Sequence, residues 1–203
     1  MDLRIAQALI VPILAMAGVV VLSNFAVQHP INAFGLRDYL TWGALTYPVA
    51  FLVNDLTNRR FGPALTRRVI YVGFALAVVL SFWLATPRIA IASGTAFLIG
   101  QLLDIFVFNQ LRRQDWWRAP LAGSVLGSAV DTAIFFSMAF AGDADMSAPV
   151  TYAHFGAEVV APLWVGLAVF DFVVKVSMAL LMLVPYGALM SRIRPMEAAR
   201  ATH

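Results

Sequence analysis

The sequence predicts an all-α, polytopic membrane protein, a bundle of six transmembrane helices, and three observations carry that prediction. Hydrophobic residues make up 61% of the chain and charged residues 12%, against about 45–50% and 25% in soluble domains. The apolar residues fall in blocks near the roughly 20 residues that cross a bilayer core at 1.5 Å per residue. The arginines lie between those blocks and not along one amphipathic face, so the formal charge of +3 reads as a topology signal and not as a nucleic-acid surface. Residues 1–203 form a single integral membrane domain on this reading.

The first block, Ile5 to Val27, is too long for a signal-peptide core and lacks a small-residue cleavage site, so it is expected to stay as the first helix. The second, Tyr39 to Leu56, has Pro48 in its middle and runs into Asn54, Asp55 and Asn58. Proline removes a helical donor, so a kink or partial unwinding is expected there. The third, Val69 to Ala85, is short, and only Thr86, Pro87 and Arg88 separate it from the fourth, Ile89 to Phe108. So tight a connection forces an antiparallel hairpin. The fifth runs from Pro120 to Ala141 and the sixth from Pro162 to Tyr186, with a loop between them that includes Pro149, His154 and Glu158. That loop is expected at the outer surface as a lid or short interfacial segment.

Arg4, the Arg59–Arg68 group, the Arg112–Arg118 group and the arginines after the sixth block all fall on one side, leaving Arg37 and Arg88 on the other. Basic residues collect on the cytoplasmic side, so both termini are expected there, in a bacterial inner membrane. Trp116 and Trp117 beside Arg118 fit an interfacial anchor.

Polar residues inside the blocks need a separate reason, because an ionised group at a helix centre costs about 2.5–3.5 kcal/mol. Gln101 and Asp104 share a face of the fourth helix beside Gly100, and Ser124, Ser128 and Asp131 follow one stripe of the fifth. Asp171 and Lys175 stand at i, i+4 on the sixth, where they serve as a stitching salt bridge, as part of a site, or as both. Lys175 is the sole lysine, so it cannot pair with all of Asp55, Asp104, Asp131 and Asp171. A proton, a ligand or a cation must balance the remainder, with Asp131 or Asp104 the expected titrating group. Asp55, beside Arg59 and Arg60, reads locally as a surface ion pair, and Ser23 and Asn24 as interhelical hydrogen bonds. Gly100-x-x-x-Asp104 and Gly127-x-x-x-Asp131 repeat one pattern, which chance explains as readily as a shared packing role.

Several classes are excluded. Cysteine is absent, which removes disulfides, thiolate metal sites and cysteine nucleophiles. His154 and Glu158 lack a third ligand, so no metal site is expected. No zinc-protease His-Glu-x-x-His, usable serine-protease pair or phosphate-cradling glycine loop is present, so no enzyme activity and no cofactor are expected.

The residues also resemble a known family, the queuosine-precursor or vitamin uptake transporters. The resemblance is carried by Ser23-Asn24, by Asp55-Leu56-Thr57 with Arg60-Phe61-Gly62, and by Arg67-Arg68-Val69-Ile70. It continues through Gly100-Gln101-Leu102-Leu103-Asp104 with Phe108-Asn109 and Leu111-Arg112, through Gly127 with Asp131-Thr132 and Phe135-Phe136, and through Asp171-Phe172 with Lys175. It implies a six-helix fold similar to the substrate-binding components of energy-coupling-factor transporters, and uptake of a 7-deazaguanine for tRNA queuosine without an obligatory ATPase partner. Under it Asn24, Gln101, Asp104 and Asp131 contact the ligand, Phe108 or Phe135 stacks on its ring, and Asp171, Lys175 and Asp55 hold or switch the charge. The chain departs from the family pattern in its very short Thr86–Arg88 connection, which puts an outer closing segment in question. The competing reading is a substrate-capturing module for another small heterocycle that needs a partner, docked on a small-residue face such as Ala8, Pro12, Ala15 and Gly18. The implied partners are thus a small molecule and the lipid bilayer, with no nucleic acid directly; oligomeric state is left open.

Overall fold

The computed structural model describes residues 3–26, 29, 31–32, 42–84, 86–154 and 157–195. The chain forms α1 (Leu3–Ala26), α2 (Gly43–Thr46), α3 (Val49–Phe61), α4 (Pro63–Leu84), α5 (Pro87–Leu111), α6 (Arg118–Phe140), β1 (Pro149–His154), β2 (Ala157–Pro162) and α7 (Leu163–Met190). Five of these, α1, α4, α5, α6 and α7, are long and apolar enough to cross a membrane.

The second block is built differently from a continuous span. Its first residues lie outside the described ones, and the rest divides at Tyr47–Pro48 into α2 and the 13-residue α3. At 1.5 Å per residue α3 is about 20 Å long, short of a roughly 30 Å hydrocarbon core. Pro48 supplies no N–H to continue α2, and α3 touches α1, α4, α5, α6 and α7. It is therefore an enclosed helix that buries polar residues, Asn54, Asp55, Thr57 and Asn58, between the apolar Ala50 and Phe51 at one end and Phe61 at the other.

Short, well-defined connections fix the neighbours of α3. Gly62 takes φ 77°, a conformation that glycine alone adopts freely, and Pro63 opens α4 at once. Thr66 Oγ1 donates to Gly62 O at 2.8 Å. At the other end of α4, Thr86 caps α5 by accepting from Ile89 N, and Pro87 fills the first turn, so α4 and α5 form the expected hairpin. Arg88 then reaches the end of α6, donating to Met138 O at 2.9 Å and to Ala141 O. Carbonyls at a helix C-terminus lack intrahelical partners and favour a cation.

The apolar core joins Met16 and Val20 of α1, Ala50 and Phe61 of α3, Ile70 of α4 and Phe97 of α5. Ala15 and Gly18, two of the residues proposed for a partner face, are exposed on α1 beside Val11 and Leu14. The loop expected as a lid folds as an antiparallel hairpin with Tyr152 opposite Val159. Tyr152 anchors it: the hydroxyl donates to Leu163 O at 3.3 Å, and the ring lies so close to Gly166 that any side chain there would collide with it.

Candidate functional site

Two polar clusters lie inside the bundle. The first is centred on Lys175 of α7, which is 5% exposed. Its Nζ lies 2.8 Å from Asp131 Oδ2 and 2.6 Å from Asp171 Oδ2, and donates to Thr132 Oγ1 at 3.1 Å. Thr132 in turn donates to Asp171 Oδ2 at 2.8 Å, and Tyr47, in the turn before α3, donates to Asp131 Oδ1 at 2.9 Å. Lys175 also sits 5.3 Å from the centre of the Tyr47 ring. Both oxygens of Asp131 are thus engaged, and one cation with two hydroxyl donors holds two carboxylates between α6, α7 and the α2–α3 turn. Such an ensemble is stable only while it is complete, because losing one partner strands a buried charge.

The second cluster joins α3 to α5. Gln101 and Asp104 are wholly buried, as are Asn58 (0%), Asn54 (1%) and Asp55 (2%). Asn54 Nδ2 donates to Asp104 Oδ2 at 2.6 Å and to Gln101 O at 3.1 Å. One turn further on, Asn109 Nδ2 donates to Ile105 O and, at 3.4 Å, to Asn58 Oδ1, while Arg112 donates to Asn109 Oδ1 at 3.2 Å. Tyr186 of α7 faces Asp55 and Arg59, and Arg59 donates to Met190 O at 3.4 Å.

The second cluster differs from the first in being unsatisfied. Asn54 Oδ1, Asp55 Oδ1, Asn58 Nδ2, Asp104 Oδ1 and both amide atoms of Gln101 are buried and meet no hydrogen-bond partner among the described residues. Native interiors leave few such atoms, and each costs about 1–3 kcal/mol. Their concentration on two facing helices is not explained by folding. Carboxylate and amide oxygens accept from ring N–H and amine groups, and amide nitrogens donate to a carbonyl, so the set suits a flat polar heterocycle.

Glycines bring α6 against this cluster. A Cβ on Gly123 would overlap Asp104 Oδ1; one on Gly127 would lie 2.7 Å from Phe51 Cε1 and 2.9 Å from Gly100 O. A Cβ on Gly100 would meet Gly127 O and Asp131 Cβ, each at 3.1 Å. The repeated Gly-x-x-x-Asp pattern is therefore an antiparallel close crossing, with each glycine against the other's helix. Gly100 touches Asp131 and adjoins Gln101, so the crossing links the two clusters.

The structure brings Gln101 and Asp104 together and adds Asp55 from α3, whereas Asp131 joins Asp171 and Lys175. Asp55 is not a surface ion pair: it is buried and makes no salt bridge among the described residues, while Arg60 lies over Phe61. Phe108 packs with Ala119 and Tyr186, and Phe135 stacks edge-on against Phe136 and Phe140. Ser23 is buried and its hydroxyl meets no partner among the described residues; the Asn24 and His154 side chains lie outside them. Asn54, Asn58, Asn109, Tyr47 and Thr132 are contributors that the sequence did not single out as site residues. The signal for Asn54 was its place beside Asp55 and four residues before Asn58, one helical face of amides and acid. No group of three metal-ligating side chains occurs among the described residues.

A family profile described as "Putative vitamin uptake transporter" matches residues 41–85 and 81–189, two segments that meet at the α4–α5 connection. The chain is 34% identical over 195 residues to the "Queuosine precursor transporter" of Escherichia coli (strain K12), covering 85% of this chain and 82% of the relative. It is 33% identical over 205 residues to the "Probable queuosine precursor transporter" of Haemophilus influenzae, with the same coverage. A "Probable queuosine precursor transporter" of Bacillus subtilis (strain 168) is 27% identical over 150 residues, 60% of this chain and 65% of the relative. No solved structure matches the chain significantly.

Proposed function

The chain belongs to the vitamin uptake transporter family, and from that premise we propose that it imports a queuosine precursor, a 7-deazaguanine such as the 7-cyano or 7-aminomethyl compound, for tRNA modification. The observation that carries this reading is the unpaired set around Gln101 and Asp104. A guanine-like edge offers a ring N–H and an amine to a carboxylate, and its carbonyl accepts from an amide. Asp104, with Oδ2 held by Asn54 and Oδ1 unpaired, receives the N–H edge; Gln101 Nε2 donates to the carbonyl. Asp131, Asp171 and Lys175 hold α6 and α7 in register beside the site. The protein acts as a transporter and not as an enzyme, in the bacterial inner membrane with both termini cytoplasmic, a placement supported by the arginine asymmetry. It works without an obligatory ATPase partner.

The test is uptake of labelled 7-cyano-7-deazaguanine into cells that neither make the compound nor carry their own importer. Queuosine in tRNA is expected with the intact protein and is expected to be lost with Asp104→Asn or Gln101→Leu. Failure of the intact protein, present in the membrane, to restore queuosine would refute the substrate.

A further inference from the structure

Charge in the second cluster does not balance. Lys175 is already held by Asp131 and Asp171 at 2.8 and 2.6 Å. No cation lies within ion-pair distance of Asp55 or Asp104 among the described residues, and Asp104 is the charged neighbour that acts on Asp55. Two buried carboxylates that act on one another repel strongly unless a cation offsets them.

Acceptors are also in excess of donors. Asn54 Oδ1, Asp55 Oδ1, Asp104 Oδ1 and Gln101 Oε1 are unpaired, against Asn58 Nδ2 and Gln101 Nε2 as unpaired donors. Asn54, 1% exposed, has its amide nitrogen fixed on Asp104 and on the Gln101 carbonyl, so the orientation of its free oxygen is fixed as well. Tyr186 from α7 also faces Asp55, and Arg59 and Arg112 face Tyr186. The α6 helix presents Gly123, and Arg67 and Arg68 of α4 are exposed.

We propose that Asp55 and Asp104, with the Asn54 oxygen, bind one monovalent cation, a proton or a sodium ion, and that this cation is carried with a neutral substrate so that an ion gradient drives uptake. The inference rests on the import reading above. Asp55 borders the Tyr186–Arg59 contact, and Asn58 begins the Asn58–Asn109–Arg112 chain, so both polar routes out of the cluster lead to the ends of α5 and α7. That geometry gives the cation a path of release separate from the Lys175 cluster.

The experiment uses the purified full chain in liposomes and the uncharged 7-cyano compound, which brings no cation of its own. Exchange of labelled for unlabelled substrate without any gradient tests import. Net accumulation is then measured under an inside-alkaline gradient of one pH unit and, separately, under a tenfold inward sodium gradient. Coupling to one cation predicts up to about tenfold accumulation under one of them, and identifies the ion. In Asp55→Asn the ratio of gradient-driven to gradient-free uptake is expected to fall to unity. Wild-type protein that exchanges substrate but accumulates it under neither gradient would overturn the proposal, whatever the variant does. Wild-type protein that does not exchange would overturn the import reading itself.

Discussion

Asn54 on α3 donates to Asp104 on α5 across 2.6 Å, and it is the sole side-chain donor to that carboxylate among the described residues. A hydrogen bond to a charged group is worth about 1.5–3 kcal/mol. Asn54→Leu keeps the volume and removes the donor, freeing Asp104 to turn away from the bound edge. Gradient-free exchange by the variant is expected to show a KM raised roughly tenfold or more. A fall in maximal rate at unchanged KM would show that Asn54 does not position Asp104 for binding.

Lys175 makes the opposite kind of prediction, because its cluster is satisfied. Lys175→Met leaves the buried Asp131 and the partly buried Asp171 without a cation, and breaking a buried pair costs about 3–5 kcal/mol. The single variant is expected to lower the thermal unfolding midpoint of the detergent-solubilised protein and to reduce its level in the membrane. Adding Asp131→Asn and Asp171→Asn removes the stranded charges, so the triple variant should regain most of the lost stability. A triple variant no more stable than the single one would mean that the cluster is not held by charge balance.

The α5–α6 crossing tests packing alone. At Gly127 a methyl group would stand 2.7 Å from Phe51 Cε1 and 2.9 Å from the Gly100 carbonyl, whereas at Gly18 nothing lies within 4 Å. Overpacking a close contact costs about 1–3 kcal/mol. Gly127→Ala is expected to destabilise the protein by that order in a thermal-shift assay and to slow uptake, while Gly18→Ala leaves both unchanged. Equal stability of the two variants would contradict the close approach of the helices.

Sequence alone locates the apolar blocks of α1, α4, α5, α6 and α7, because hydropathy reads such blocks directly, but it starts the third at Val69 and reads it as short, whereas α4 begins at Pro63 and runs 22 residues through Arg67 and Arg68. It carried α3 poorly. A helix that carries Asn54, Asp55, Thr57 and Asn58 looks like the end of a span approaching water, and only its enclosure by other helices reveals it as interior. Asp55 looks like a surface ion pair for the same reason: Arg59 and Arg60 are its neighbours in the chain, but in space Arg59 reaches Met190 and Tyr186 and Arg60 lies over Phe61. Asp131 and Lys175 could be named from their types, yet their pairing across α6 and α7 is a distance that no sequence spacing encodes.

Orientation can be decided with the chain's own composition. It has no cysteine, so a single introduced cysteine is an unambiguous reporter. Ala144, in the exposed turn after α6, and Ser191, just past the end of α7, are both exposed and separated by the full length of α7. Neither is buried against the bundle, so each substitution should leave stability unchanged. In intact spheroplasts a membrane-impermeant maleimide is expected to label Ala144→Cys at once and Ser191→Cys only after permeabilisation. The reverse pattern would invert the bundle, placing the Arg59 and Arg112 ends outside and making the Asn58–Asn109–Arg112 chain an entry route instead of an exit.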